Sequence, residues 1–148
     1  MNATSLDDPR IREFLTAGTR TGHLGFLAGD GRPLVAPVWF VLDGGRIAFN
    51  TGADTAKGRA LVRDPRVTMS VDLAGPPYAF VQVQGRAILG EDLDEVTRIA
   101  AMCGSRYMGA ERAAEFGARN GVPGELVVWI DPDRVIANLD VSGPGVTS

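Results

Sequence analysis

Histidine, cysteine and lysine each occur once in this chain of 148 residues, as His23, Cys103 and Lys57. A single cysteine cannot form an internal disulfide, and this usage fits a protein of the reducing cytoplasm. Structural and catalytic metal sites usually combine several histidine, cysteine or carboxylate ligands at short spacings, and the sequence has no such histidine or cysteine pair. We therefore predict no disulfide and no metal site.

Catalytic side chains are also scarce. His23 lies in a predicted strand, where a barrel or surface histidine is the simplest interpretation. Cys103 is interpreted as an apolar residue on a helix face. The acidic pairs of the chain precede helices, and capping explains them. We therefore identify no catalytic residue, and in an enzyme of this kind a bound cofactor would supply the chemistry.

Charge and hydropathy exclude two classes of partner. The formal net charge of −3 argues against nucleic acid as the main partner. No apolar run approaches the roughly 18–20 residues that a membrane-spanning helix needs, and the N-terminal residues lack an apolar signal core. We expect a cytoplasmic protein with one domain over residues 1–141 and a loose C-terminal tail over residues 142–148.

Short apolar runs separated by glycine and proline predict a mainly β protein with a few short helices. Helices are predicted after Asp8, from about Thr55 to Arg63, after Asp92, and over about residues 110–119. Strands and helices do not alternate regularly, which favours an antiparallel barrel over a doubly wound sheet. The predicted strands cover residues 22–28, 34–42, 46–51, 67–72, 78–89 (with a bulge or bend at Gly85), 125–130 and 134–139.

The one lysine lies at the predicted start of the second helix. A helix start offers unpaired N–H groups and the positive end of the macrodipole, which together suit a phosphate group. Lys57 and Arg59 would add charge-assisted hydrogen bonds to such an anion. A solvated helix end is the competing interpretation of the same residues.

Aromatic residues near this segment could hold a planar ring. Trp39 belongs to the run Pro37–Phe40, and Tyr78 follows two prolines. Core packing is the competing interpretation of Trp39. We expect the loop at residues 74–77 and the segment 104–124 to shape a pocket for a second substrate. In that segment Arg106, Tyr107 and Met108 could line the site or simply pack.

In their order and spacing, eight stretches resemble the pyridoxamine 5'-phosphate oxidase-like split β-barrel superfamily. The nearer likeness is to its actinobacterial branch of oxidoreductases that depend on coenzyme F420, a deazaflavin. The matching stretches are Gly29–Pro33, Pro37–Phe40, Asn50–Thr51, Ala56–Arg66, Pro77–Tyr78, Val83–Ala87, Glu125–Val128 and Pro132–Val135.

The resemblance implies a six-stranded antiparallel split barrel, of the FMN-binding type, with flanking short helices. It also implies a homodimer with the cofactor at the subunit interface. On this basis Tyr78 would reach the cofactor from the other subunit. The remaining implied cofactor-binding residues are Thr55, Ala56, Lys57 and Arg59 for the phosphate, Pro37, Val38 and Trp39 for the ring, and Asn50 and Thr51 at a strand end.

The chemistry implied by the resemblance is hydride transfer from reduced coenzyme F420 to a small unsaturated or quinone-like acceptor. FMN is the alternative cofactor, because the segment around Lys57 has few basic groups for the anionic oligoglutamate tail of F420. A third hypothesis is a non-catalytic protein that binds a flavin, a deazaflavin or a haem-like tetrapyrrole. The scarcity of acid–base residues suits that hypothesis as well.

Overall fold

A computed structural model describes residues 5–143, so residues 144–148 of the predicted tail lie outside the described residues. No helix within that range is long and apolar enough to cross a membrane. The helices of the described range are α1 (Pro9–Thr16), α2 (Ala56–Arg63), α3 (Leu93–Met108) and α4 (Ala113–Asn120), with a short 3₁₀ turn at Ala110–Arg112. Its strands are β1 (Gly22–Leu27), β2 (Pro33–Val38), β3 (Val41–Asp43), β4 (Arg46–Gly52), β5 (Arg66–Asp72), β6 (Phe80–Gly90) and β7 (Glu125–Asn138).

The strands form one antiparallel sheet in the order β2-β1-β5-β6-β7-β4-β3. The two outermost strands, β2 and β3, follow each other in the chain and are separated only by Trp39 and Phe40. Because two residues span only a short distance, the two edges of the sheet must approach each other at this corner. The sheet therefore curls into a barrel, and the predicted mainly β, antiparallel class is confirmed.

Seven strands are present within residues 5–143, where the resemblance implied six, and the limits of some of them differ from the ranges predicted from the sequence. The single predicted strand at residues 34–42 is divided into β2 and β3. At the break, the Phe40 N–H donates to the Tyr107 hydroxyl (3.2 Å), and the Phe40 carbonyl accepts from Arg106 Nη1 (2.8 Å). Because side chains of α3 take these backbone groups, the chain leaves the β ladder here.

The strands predicted at residues 125–130 and 134–139 are instead one continuous strand, β7. The residues predicted as a turn between them form a bulge opposite β6, where Gly85 pairs with Pro132 and Gln84 with Arg134. A Cβ atom at position 85 would lie 2.2 Å from the Asp131 carbonyl oxygen, so only glycine fits there. The irregularity predicted at Gly85 is confirmed as a bulge. The bulge lets β7 continue past Asp131–Asp133, where the sequence predicted a turn.

Two groups of apolar side chains form the core. The barrel interior is filled by large buried residues such as Leu24, Phe40, Phe49 and Met69. A second cluster lies beneath α3 and includes Cys103. Burial raises the pKa of the Cys103 thiol to about 12, so the predicted role as an apolar helix-face residue is confirmed.

The last turn of α3 is tied to the rest of the barrel by Arg106. Besides Phe40, its guanidinium donates to the Leu15 carbonyl (2.7 Å) and the Gly18 carbonyl (3.0 Å). Arginine is suited to this role because its planar group carries five N–H donors. Arg106 therefore packs structurally, holding the end of α1 and the β2–β3 corner against α3.

The first half of α3 is held by a charged network. Asp43 accepts hydrogen bonds from Arg98 Nη1 and Nη2 at 3.0 and 2.8 Å and from Trp129 Nε1 at 2.9 Å. The hydrogen bonds from Arg98 and then from Trp129 lower the pKa of Asp43 to about 2. The network joins the β3–β4 hairpin, α3 and β7 at one point.

We expect Asp43→Asn to lower the free energy of unfolding at neutral pH by about 1–2 kcal/mol, because it removes a paired charge. The folded-state pKa of about 2 lies below the ordinary value of 3.8, so the stabilisation is present above about pH 4 and is lost as the pH falls through 2. Urea denaturation at pH 7 and pH 2.5 measures this. The exposed Asp133→Asn serves as control, and an equal effect of Asp43→Asn at both pH values would contradict the assignment.

Candidate functional site

A cleft of about 210 Å³ opens between the strand ends and the helical pair α3–α4. One wall consists of the ends of β2 and β4 and the first turn of α2, and the other wall consists of α3 and α4. Five residues predicted for the cofactor site meet here: Pro37, Val38, Trp39, Asn50 and Lys57. The lining is completed by Ala100, Cys103, Phe116 and Asn120.

Lys57 is half-buried on the cleft side of the first turn of α2. Burial lowers the pKa of its ammonium group, because the charged form loses solvation. Within residues 5–143, this ammonium has neither a hydrogen bond nor an ion pair. A partly desolvated cation without a protein partner gains from an anionic ligand, so this group suits a phosphate.

The start of α2 is fixed by its cap and by a close backbone approach. The Thr55 hydroxyl accepts from the Gly58 N–H (3.0 Å) and donates to the Gly52 carbonyl (2.8 Å). A Cβ atom at Gly58 would lie only 2.1 Å from the Gly52 oxygen, so the first turn of α2 is in direct contact with the end of β4. Thr51 is buried, with its hydroxyl 3.4 Å from that of Thr55. These two threonines position Lys57 and do not line the cleft.

Three other predicted site residues lie outside the lining of this cleft. Ala56 and Arg59 are exposed on α2, and the Arg59 guanidinium donates to the Asp54 carbonyl. Tyr78 is exposed and follows the cis Pro76–Pro77 bond, with a left-handed φ of 57°. Because Tyr78 does not line the cleft of its own chain, its contribution from a second subunit stays a prediction.

Trp39 is the largest side chain of the cleft and is 42% exposed, so core packing does not account for it. Its ring stacks on Tyr107 with centroids 5.0 Å apart and planes at 1°, and Phe116 meets it edge-on at 5.8 Å. Tyr107 is held in turn by its hydroxyl, which donates to the Arg20 carbonyl (2.7 Å) and accepts from the Phe40 N–H. The indole is therefore supported from behind at the cleft wall.

The individual residues of the wall formed by α3 and α4 were not predicted from the sequence. The segment 104–124 was expected to shape a pocket, and it supplies Phe116 and Asn120. Gly104 was a sequence signal for this wall, because glycine within a helix allows a second helix to pack closely against it. A Cβ atom at Gly104 would lie 2.5 Å from the Phe116 Cβ. The loop at residues 74–77, which was also expected to contribute, does not line this cleft.

His23 lies away from the cleft on the surface of β1. Its Nδ1 is 3.9 Å from Asp72 Oδ1, and both side chains are about half exposed. The surface interpretation of this histidine is confirmed.

The sequence pattern of the family described as pyridoxamine 5'-phosphate oxidase matches residues 7–138. The chain belongs to the pyridoxamine 5'-phosphate oxidase family. This confirms the resemblance seen in the sequence and assigns the fold to a family of flavin-type split barrels. No curated protein matches the chain.

Solved structures of this fold resemble the chain at low sequence identity. A conserved hypothetical protein from Mycobacterium tuberculosis, Rv2991, superimposes with a TM-score of 0.81 at 23% identity, over 96% of this chain and 91% of that one. An F420 reductase has a TM-score of 0.63 at 24% identity, over 83% and 94%. A heme-binding protein from Mycobacterium smegmatis has a TM-score of 0.65 at 24% identity, over 90% and 53%. These likenesses establish the shared fold.

We expect Gly58→Ala to destabilise the protein, although alanine is the better helix former by about 1 kcal/mol. The added methyl group would meet the Gly52 carbonyl at 2.1 Å and push the start of α2 from the end of β4. Thermal unfolding measures the effect. Gly75→Ala is the matched control, because its methyl group would meet open space. A melting temperature for Gly58→Ala at or above that of the wild type would contradict the close approach.

Proposed function

We propose that this protein is an oxidoreductase that binds coenzyme F420 and transfers hydride from the reduced deazaflavin to a small unsaturated or quinone-like acceptor. Membership of the pyridoxamine 5'-phosphate oxidase family supports a flavin-type cofactor. The structural neighbour named F420 reductase supports the deazaflavin as that cofactor. The single free thiol, Cys103, is in keeping with the cytoplasm as the proposed location.

The proposal depends mainly on the environment of the Lys57 ammonium group. Its half-buried ammonium has no partner within residues 5–143, lies on a helix start, and shares its cleft with Trp39. A cofactor that joins a phosphate to a planar ring would satisfy both features at once. The cap at Thr55 and the contact of Gly58 with Gly52 fix the helix start that carries Lys57 before any ligand arrives, which lowers the cost of binding.

The ring would lie against apolar side chains of the cleft, among them Val38, Trp39 and Phe116. When bound, the reduced deazaflavin supplies a hydride, which carries two electrons to the acceptor. The task of the protein is then to hold ring and acceptor at reaction distance and to exclude water. Lys57 and Cys103 are the ionisable residues among those that line the cleft, and the raised pKa of Cys103 keeps its thiol protonated. We therefore propose that solvent or a nearby hydroxyl provides the proton that completes the reduction.

The small volume of the cleft supports a site shared between two chains. The cleft of about 210 Å³ is smaller than the roughly 300–1,000 Å³ of a typical small-molecule site. A second copy of the chain would complete it, which supports the proposed homodimer with two equivalent sites at its interface. In that assembly Tyr78, which is exposed and away from the cleft of its own chain, would approach the cofactor of the partner subunit.

FMN is the second candidate cofactor, and the surroundings of Lys57 support it to a degree. Arg59 is engaged with the Asp54 carbonyl, and Arg63 is exposed beside Gly29 at the far end of α2. Few cations are thus available for the long anionic tail of F420, whereas FMN needs only the phosphate position.

A non-catalytic haem carrier has the heme-binding neighbour in its favour. The cleft, however, is lined by no histidine, and its one cysteine stays protonated.

We expect Lys57→Ala to weaken F420 binding by roughly 1.5–3 kcal/mol, because a charge-assisted hydrogen bond to the phosphate is lost. Titration of the fluorescent cofactor with protein gives the dissociation constant, with FMN measured in parallel. Arg63→Ala is the matched control, since it removes a cation from the far end of the same helix. An unchanged dissociation constant for Lys57→Ala would contradict the phosphate site.

Hydride transfer is measured in the same preparation by following oxidation of reduced F420 in the presence of a quinone such as menadione and of a cyclic enone. Turnover supports the reductase proposal. Tight binding of FMN with weak binding of F420 would transfer the proposal to a flavin enzyme. Tight cofactor binding without turnover of any acceptor would instead support a carrier.

We expect the protein to be a dimer in solution, because the cleft of one chain is too small to enclose the cofactor. Light scattering coupled to size-exclusion chromatography measures the mass, with and without F420. Tyr78→Ala should weaken F420 binding severalfold while leaving the melting temperature close to that of the wild type, since this side chain is exposed. A wild-type protein that is monomeric while F420 is bound would contradict the shared site. A Tyr78→Ala variant that binds F420 as tightly as the wild type would contradict the role of Tyr78.

A further inference from the structure

Two amide side chains face the cleft from its opposite walls. Asn50 lies on β4, and Asn120 is the last residue of α4. Both are partly buried. The lining also contains the indole N–H of Trp39, which can only donate. Apart from Lys57 and Cys103 its remaining residues are apolar, so these two amides supply its neutral oxygen acceptors.

The orientation of Asn50 is set by the backbone around it. Its Nδ2 donates to the Val96 carbonyl (3.2 Å) and to the Leu126 carbonyl (3.5 Å). Two carbonyl oxygens can accept only from the NH₂ end of the amide, so the reverse orientation would bring three acceptors together. The Oδ1 atom therefore points away from both carbonyls. It has no donor among residues 5–143 and is not closed off from solvent.

Asn120 presents the complementary chemistry. Its carboxamide has no hydrogen bond within the described part of the chain, and it can both donate and accept. Its backbone is held because α4 packs closely on α3, where a Cβ atom at Gly117 would lie 3.3 Å from side-chain atoms of Thr97 and Ala101. The cleft thus contains an oriented acceptor on one wall and, within the described residues, an amide without a protein partner on the other, and Trp39 and Phe116 belong to the same lining.

A flat ligand that satisfies both amides carries an N–H donor and a carbonyl acceptor. The imide edge of a flavin or deazaflavin ring, carbonyl–N–H–carbonyl, supplies both groups. We propose that Asn50 Oδ1 accepts the imide N–H and that the Asn120 amide donates to a neighbouring ring carbonyl. This inference rests on the proposed function, and it names the ring edge that the cleft recognises.

The first test needs no mutation. Binding of lumiflavin and of 3-methyllumiflavin to the wild-type protein is compared by quenching of flavin fluorescence. Neither probe has a phosphate, so Lys57 does not enter the comparison. Because the methyl group replaces the donor facing Asn50 Oδ1, we expect the methylated ring to bind at least about tenfold more weakly. Equal affinities would overturn the role of Asn50.

Variants separate the two amides. Asn120→Ala should weaken both probes by about three- to tenfold and preserve the ratio between them, because its partner is a carbonyl that both rings carry. Asn50→Leu should bring the ratio close to one. Gln84→Ala is the control, an amide on β6 outside the cleft lining. Unchanged affinities for Asn120→Ala would overturn the role of Asn120. If Asn50→Leu fails to fold, Asn120→Ala still tests Asn120, and the two lumiflavins still test Asn50 in the wild-type protein.

A parallel titration with F420 distinguishes this inference from the proposed function. Binding of F420 without discrimination between the two lumiflavins would overturn the amide site and leave the proposed function standing. Discrimination between the lumiflavins without F420 binding would support the amide site and overturn F420 as the cofactor. Binding of none of these ligands would overturn both.

Discussion

The fold and the cleft both depend on the way α3 holds the corner between β2 and β3. Arg106 and Tyr107 take the backbone groups of Phe40, and this contact ends one strand and begins the next. The same corner brings the two edges of the sheet together and presents Trp39 to the cleft, with Tyr107 stacked behind it. A hydrogen-bonding contact between residues 67 positions apart in the chain thus shapes the barrel and one wall of the site.

The rest of that wall depends on a second close contact, between the start of α2 and the end of β4. Gly58 and Gly52 approach so closely that no side chain fits between them, and Thr55 satisfies the exposed backbone groups of both. Lys57 consequently lies on a helix start that is held firmly, and its half-buried ammonium has neither a hydrogen bond nor an ion pair within residues 5–143. A site built in this way is preorganised for an anion, which is the physical basis of the proposed cofactor binding.

Local chemistry explains which predictions succeeded. Asp8, Thr55 and Asp92 were identified as helix starts because a short polar side chain caps its own helix, and each of them does so in the structure. Gly85 was identified as a bulge for a similarly local reason. The errors arose where a distant partner decided the outcome. Residues 34–42 contain no breaker after Pro37, and the division there is imposed by α3. The apparent turn at Asp131–Asp133 stays within β7 because β6 continues to pair with it.

The sequence by itself determined the mainly β class, the helix caps and the family, since each depends on neighbouring residues or on an ordered set of short motifs. It also located the segment around Lys57 that we propose as the phosphate site. Only the tertiary structure decided the strand limits and the composition of the cleft. Phe116 and Asn120 lie about sixty residues from Lys57 in the chain, and they line the same cleft because α3 and α4 pack across the strand ends. The orientation of Asn50 likewise follows from the Val96 and Leu126 carbonyls, whose positions no local pattern encodes.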